Sequence, residues 1–339
     1  MTLKTRRKLF WLSVVIFLII APPIVLYTTG WRLTSDLKIK RIGGLFIAVP
    51  ESGSEVFLNG KFVKGTNFLR SGIFMQNLTP GPYSVMVSKE GFWPWTKKLP
   101  VVENAVAEAK ALMTPQNING EIMLKGKFES IYSSNQNSPI LLEEKKGDSY
   151  ALTFYIPDEN EFLTPANSSS KKILSANPKL KTIYWRDGEA DVFFENKTIA
   201  LTFDPVKRSV SAKNSPLKLD ETASVLPHQI NMDYRQRANI WHDEKNVWVE
   251  WLSDALPHYL SSKKENIFQT KNSIRNAAFF PKKSDIAVVA VENGVFVLEL
   301  DGRGTRNFQP IYKGKNPLFT VLNNKIYVLD QGVLAKMDL

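Results

Sequence analysis

The sequence predicts an all-β protein set behind one N-terminal membrane-spanning helix. Three observations carry that expectation. Residues 9–27, LFWLSVVIFLIIAPPIVLY, hold no charge and follow the basic cluster Lys4, Arg6, Arg7 and Lys8. Beyond them no long window shows helical periodicity. Short period-two runs instead recur to the C-terminus, separated by Gly, Pro, Asn and Asp turn signals.

At about 1.5 Å per residue, a helix over 9–27 matches the ~30 Å hydrocarbon core of a bilayer. The run is too long and too evenly apolar for a buried core helix, which would carry a polar stripe. It also exceeds the apolar stretch of a cleaved signal peptide, and its small-residue exit, Thr28-Thr29-Gly30, lacks the A-x-A pattern. A retained anchor over 9–29 is therefore expected, with Leu9, Trp11, Phe17, Pro22, Pro23 and Tyr27 meeting lipid. Pro22-Pro23 should kink the helix or interrupt its ladder. Trp11, Tyr27 and Trp31 stand where interfacial aromatics stand. The denser basic cluster on the N-terminal side places tail 1–8 in the cytoplasm and the rest outside it. A juxtamembrane linker is expected over 30–41.

From residue 42 to 115 a small β-sandwich is expected. GLFIAV (44–49) reads as a strand and PESGS as a turn. EVFLNGKFV (55–63) is a hairpin, with Asn59-Gly60 as the φ > 0 pair of a type I′ turn. Further strands are expected over 73–78 and 83–87, the second entered through Pro80-Gly81-Pro82, and a last one after the Glu90-Gly91 turn. VPESGSEVFLNGK (49–61), LTPGPYSVMV (78–87) and KEGFWPW (89–95) together resemble a PEGA domain, with Pro80-Gly81-Pro82 in the turn that names the family. The resemblance covers about a fifth of the chain and implies a surface-associated, non-catalytic β-module of anchored or secreted prokaryotic proteins. Trp93 and Trp95 admit two readings: a ligand-stacking platform, or packing of Trp95 within the sandwich. Lys97-Lys98 reads as a solvated strand edge.

Over 116–339 a two-strand unit repeats. PILLEE (139–144), KTIYWR (181–186), ANIWHD (238–243), DIAVVAV (285–291) and NKIYVLD (324–330) are each followed by a second apolar strand. Spacings of roughly 40–55 residues suit propeller blades of about four strands each. About five blade-like units result, with EIMLKG or ESIYSS (121–134) available to complete the terminal blade. The interval 195–238 has room for an insertion or a further blade. Segments 167–172 and 213–218 read as exposed loops. AAFFPKKSDIAVVAVENGVFVLELDGRGTRNF (277–308) resembles a blade of the TolB-like or WD-repeat-like propellers, without the Gly-His and Trp-Asp pairs of the latter.

The net charge of +11 invites a nucleic-acid partner. Most of the excess flanks the apolar run, where anionic headgroups would meet it, so the expected partner is the bilayer and not nucleic acid. Cysteine is absent, which removes disulfides, thiolate nucleophiles and thiolate-ligated metals. His228, His242 and His258 share no ligand spacing, and His242-Asp243-Glu244 reads as a turn with solvated acids. No nucleophile elbow, P-loop or dinucleotide fingerprint occurs. No catalytic, cofactor or metal site is expected. The sequence thus points to a non-enzymatic, membrane-anchored protein whose exported β-domains bind an envelope polymer or protein. Its rivals are a propeller enzyme acting on envelope glycans, as a hydrolase or lyase, and a sensor or assembly factor that uses the propeller for docking.

Overall fold

A computed structural model describes residues 3–33, 39–67, 71–134, 139–217 and 228–339. Helix α1 spans Leu3–Thr28 and runs uninterrupted through Pro22 and Pro23. The two prolines leave the Leu18 and Ile19 carbonyls without their i+4 donors. Leu9, Trp11, Phe17, Pro22, Pro23 and Tyr27 are all exposed, and this is the helix long and apolar enough to cross a membrane.

The stretch expected as a linker contains two strands. Strands β1 (Trp31–Leu33) and β2 (Ile39–Arg41) form an antiparallel ribbon.

The chain divides into two compact units, residues 1–113 with 303–307, and residues 114–302 with 308–339. In the first, β3 (Gly43–Ala48), β4 (Glu55–Leu58), β5 (Lys61–Gly65), β6 (Gly72–Leu78), β7 (Gly81–Ser88), β8 (Trp95–Val101) and β9 (Val106–Lys110) make a sandwich. One sheet has the order β6-β3-β9 and the other β5-β4-β7-β8. Asn59 and Gly60 take φ of 49° and 78°, as the expected type I′ turn requires. Leu45, Ile47, Val56, Val85, Val87, Trp95 and Leu99 fill the core at 0% exposure. Strand β9, which the sequence pattern does not mark, pairs in parallel with β3.

Lys97 corrects the expectation of a solvated edge. Along β8, Trp95, Lys97, Leu99 and Val101 share the buried face by period-two alternation, and of the two lysines only Lys98 is exposed. The Lys97 ammonium donates to the Thr305 carbonyl at 3.4 Å. In the same unit, Asn307 exchanges hydrogen bonds with the Thr96 backbone (3.2 and 2.9 Å).

Among the described residues, the second unit forms five open sheets. Its first strand, β10 (Gly120–Lys125), belongs to the last of them. The first blade is β11 (Phe128–Tyr132), β12 (Ile140–Lys146), β13 (Ser149–Ile156) and β14 (Glu161–Phe162). The second takes β15 (Thr164–Pro165), follows helix α2 (Ser168–Ser175), and continues with β16 (Thr182–Arg186), β17 (Glu189–Phe193), β18 (Thr198–Asp204) and β19 (Ser209–Ser215). The third is β20 (His228–Met232), β21 (Ala238–His242), β22 (Asn246–Trp251) and β23 (Lys264–Gln269). The fourth is β24 (Ile274–Phe279), β25 (Ile286–Val291), β26 (Gly294–Glu299) and β27 (Phe308–Lys313). The fifth is β28 (Leu318–Leu322), β29 (Lys325–Asp330) and β30 (Val333–Met337), with β10 pairing antiparallel to β30. EIMLKG therefore completes the terminal blade, and ESIYSS opens the first.

The interval 195–238 holds the outer strands β18 and β19 and the first strand of blade three, not a further blade among the described residues. Segment 167–172 is not a loop. The Asn167 side chain accepts from the Ser170 amide (2.8 Å) as the N-cap of α2. Of 213–218, residues up to Ser215 complete β19, and Lys218 lies outside the described residues.

Apolar clusters join neighbouring blades. One unites blades one and two through Leu141, Phe154, Val192 and Leu201. Another unites three and four through Ile240, Val249, Val289 and Leu298. A third unites five and one through Leu142, Tyr155, Tyr327 and Leu329. Polar ties from inner strands run the same way. Asn231 donates to the Ala277 carbonyl (2.9 Å), Asn276 to that of Phe319 (2.6 Å), and Thr320 meets Ser133 hydroxyl to hydroxyl (2.5 Å). Each is buried or half-buried, where a lost partner costs about 1–3 kcal/mol.

Candidate ligand-binding surfaces

The platform expected of Trp93 and Trp95 together does not form. Trp95 opens β8 on its core face, opposite Val87, and is 0% exposed. No ring face remains for a sugar or a base. Trp93 precedes the strand and is half-buried, with its indole Nε1 enclosed and unpartnered.

The histidines do not converge. The His242 Nδ1 lies 3.0 Å from the Asp243 carbonyl, and His258 packs edge-on against Tyr259. His228 pairs with His242 in backbone register, and its side chain lies outside the described atoms. Among the described residues no three His, Cys, Asp or Glu side chains are placed to share a metal ion. Asp243 closes the expected turn, accepting from the amides of Lys245 (2.8 Å) and Asn246 (2.7 Å).

Two acidic sites hold carboxyl groups with shifted pKa values. Glu143 in β12 is fully buried, with one carboxyl oxygen accepting from the Leu180 amide (2.7 Å) and the other unpartnered. Burial pushes its pKa up, against the hydrogen bonds of Leu180 and Ser130. A raised carboxyl is the electrostatic profile of a general acid, but this one has no access to a substrate. The second site is a cleft of about 320 Å³ between blades one and five, lined by Glu121, Asp158, Asn160, Lys325, Tyr327 and Lys336. Asp158 pairs with Lys325 (2.7 Å) and Glu121 with Lys336. The hydrogen bond from Lys325 holds Asp158 below the usual carboxylate range. Burial, followed by the Asp158 charge, pushes the Tyr327 hydroxyl up to about 12. Each acid is neutralised by a lysine, which suits a clasp across the closing seam better than acid-base work.

The third surface lies on blade three. Period two sends Ala238, Ile240, Val247, Val249 and Trp251 to the face packed on blade four. The opposite face carries Asn239, Trp241, Asn246, Trp248, Glu250 and Asn266, all half-buried. Register sets Trp241 directly opposite Trp248. The Lys264 ammonium stands 5.2 Å from the first ring and 6.0 Å from the second. Asn266 donates to the Asn246 side chain (2.9 Å), and Asn246 donates to Asp243 (3.0 and 3.1 Å). The Asn239 side-chain oxygen Oδ1 is enclosed and has no hydrogen-bond partner among the described residues.

Strand β16 of blade two lies beside β20. The face of blade two turned from blade one bears Tyr184, which is 44% exposed and edge-on to Phe193, and the Arg186–Asp191 ion pair. Paired indoles and fixed amides suit a polyhydroxylated ligand. Ring faces stack on its C–H surfaces while the amides meet its hydroxyls. Sequence alone places Trp241 and Trp248 only within strands. Pairing register, which no local pattern supplies, is what brings them together.

Comparison with known proteins supplies the following. Residues 42–117 match the family model described as the PEGA domain. No curated protein matches the chain. Among solved structures, the chain is similar to the Xanthomonas campestris protein XC5397, described as a gluconolactonase, at 11% identity and a TM-score of 0.30, over 77% of this chain and 85% of that one. It is similar to YCF48 from Cyanidioschyzon merolae at 11% and 0.27, over 75% and 76%. Kluyveromyces lactis Hsv2 gives 8% and 0.24, over 73% and 68%. At such scores these likenesses carry no argument about function, and the blade architecture rests on the strand pairing above.

Proposed function

We propose that the chain is a non-enzymatic, single-pass membrane protein whose β units are exported and bind a hydroxyl-rich envelope polymer. The observation that carries the binding role is the Trp241–Trp248 pair with its amide surround on blade three. A face built only for packing would be apolar, as the opposite face of the same sheet is. The location is supported by α1, by the denser basic cluster on its N-terminal side, and by the PEGA-domain match that follows it. A role without chemistry is supported by the pairing of Glu121 and Asp158 with lysines and by the enclosure of Glu143.

The location is tested by adding protease to intact cells that carry a C-terminal epitope. The epitope is expected to be lost while a cytoplasmic marker survives. An epitope protected until the membrane is opened would overturn the exported placement.

A further inference from the structure

The end of α1, the β1–β2 ribbon and the base of the sandwich are joined tightly. Helix α1 ends at Thr28. The Gly30 carbonyl accepts from the Ile42 amide (3.1 Å), and the Ile42 carbonyl from that of Asn104 (2.9 Å). At Gly43 a Cβ would stand 2.2 Å from the Val102 carbonyl oxygen, so only glycine allows this approach. The 102–106 turn is thereby held at the level where the helix ends. From Leu9 to Tyr27 the helix rises roughly 28 Å, so Tyr27 and Trp31 fall at a bilayer interface.

That base is shaped for such a place. Ile39, Val102 and Val106 are 56%, 59% and 52% exposed. The ribbon's six described residues carry Arg32, Lys40 and Arg41 and no acid. Arg32 and Lys40 are direct cross-strand partners, and like charges so placed repel unless an anion sits between them. The Arg32 guanidinium lies 3.5 Å from the Tyr27 ring centroid, and the Arg41 guanidinium 4.9 Å from that of Trp31. The Arg41 Nε is enclosed without a hydrogen-bond partner. An interfacial phosphate seated between Arg32 and Lys40 would relieve their repulsion.

We propose that the β1–β2 ribbon and the 102–106 turn form a collar that rests on the bilayer and binds anionic phospholipid headgroups. The proposal rests on α1 being a retained span. It adds that the sandwich is seated on the lipid surface and does not swing freely from its anchor.

The absence of native cysteine makes a direct test simple. Full chains carrying Val102→Cys or, at the far end of β3, Ser52→Cys are labelled with an environment-sensitive fluorophore. They are reconstituted in phosphatidylcholine nanodiscs with and without phosphatidylglycerol, and quenched by a headgroup-region quencher lipid. With phosphatidylglycerol present, quenching at position 102 should exceed that at position 52 by about twofold or more, given the attraction of a basic juxtamembrane segment to anionic lipid. Arg32→Gln, Lys40→Gln and Arg41→Gln together should remove the excess without changing the melting temperature. Equal quenching at both positions, in a chain that resists carbonate extraction, would overturn the collar and leave the anchor standing. Carbonate extraction of the chain would overturn both. Excess quenching indifferent to phosphatidylglycerol would overturn the headgroup assignment.

Discussion

Trp248 and Trp251 lie three residues apart on β22 and meet opposite surroundings. Trp251 is 4% exposed, donates its Nε1 proton to the Ala255 carbonyl (2.9 Å) and belongs to the apolar cluster joining blades three and four. Trp248 faces the other way, half-buried, beside Trp241 and under Lys264. One sheet thus spends an indole on packing and another on a surface ringed with amides. Hydrophobicity alone does not separate the two. What separates them is whether the neighbours are apolar side chains of the core or polar side chains such as Asn239, Asn246 and Asn266.

The contrast can be broken first on its buried side. Trp251→Ala removes a packed indole and leaves the Ala255 carbonyl without its donor, and should cost about 3–5 kcal/mol. Urea denaturation of the full chain in detergent measures this. A loss below roughly 1 kcal/mol would mean that blades three and four are not sealed as described.

A second test uses the buried polar group between blades one and two. Burial raises the Glu143 pKa in the folded chain. The unfolded chain releases this proton at lower pH, so the group costs stability as pH rises from the ordinary carboxylate range through the raised folded value. Glu143→Gln keeps an oxygen to accept from Leu180. It should match the parent near pH 4 and melt higher at pH 8. Equal melting temperatures at both values would refute a raised Glu143 pKa.

The mildest expected effect is at the closing seam. Lys325→Ala removes an exposed ion pair with Asp158 and should cost no more than about 1 kcal/mol. Asp158 has a depressed pKa, so the pair's contribution is present above the ordinary carboxylate range and fades as pH falls through the folded value. The difference between parent and variant should therefore shrink on acidification. A melting-temperature difference that is constant down to pH 2 would contradict the pairing.

The sequence was legible where the signal was local. Asn59-Gly60 fixed a hairpin because few residues other than Asn and Gly take φ > 0 readily. The apolar runs of β12, β21, β25 and β29 named one strand in each of four blades. In blade two the matching run was β16, one strand earlier in the meander, and the shifted phase made 195–238 look over-long. Non-local features stayed hidden. Strand β9 pairs in parallel with β3 across some sixty residues of chain, and its exposed, alanine-rich VAEAK carries little apolar alternation. Helix α2 was concealed by its serines, which favour turns and caps alike. Of the two readings open for Trp93 and Trp95, alternation along β8 selects packing for Trp95.

The central claim is that the Trp241–Trp248 face binds and the Trp251 face only packs. The most direct measurement is the affinity of full-length parent and Trp248→Ala protein for purified envelope polymer, with melting temperature recorded on the same samples. The account predicts a loss of about tenfold or more in affinity, as for a central aromatic anchor, with the melting temperature nearly unchanged. Undiminished affinity in a folded Trp248→Ala chain would contradict it.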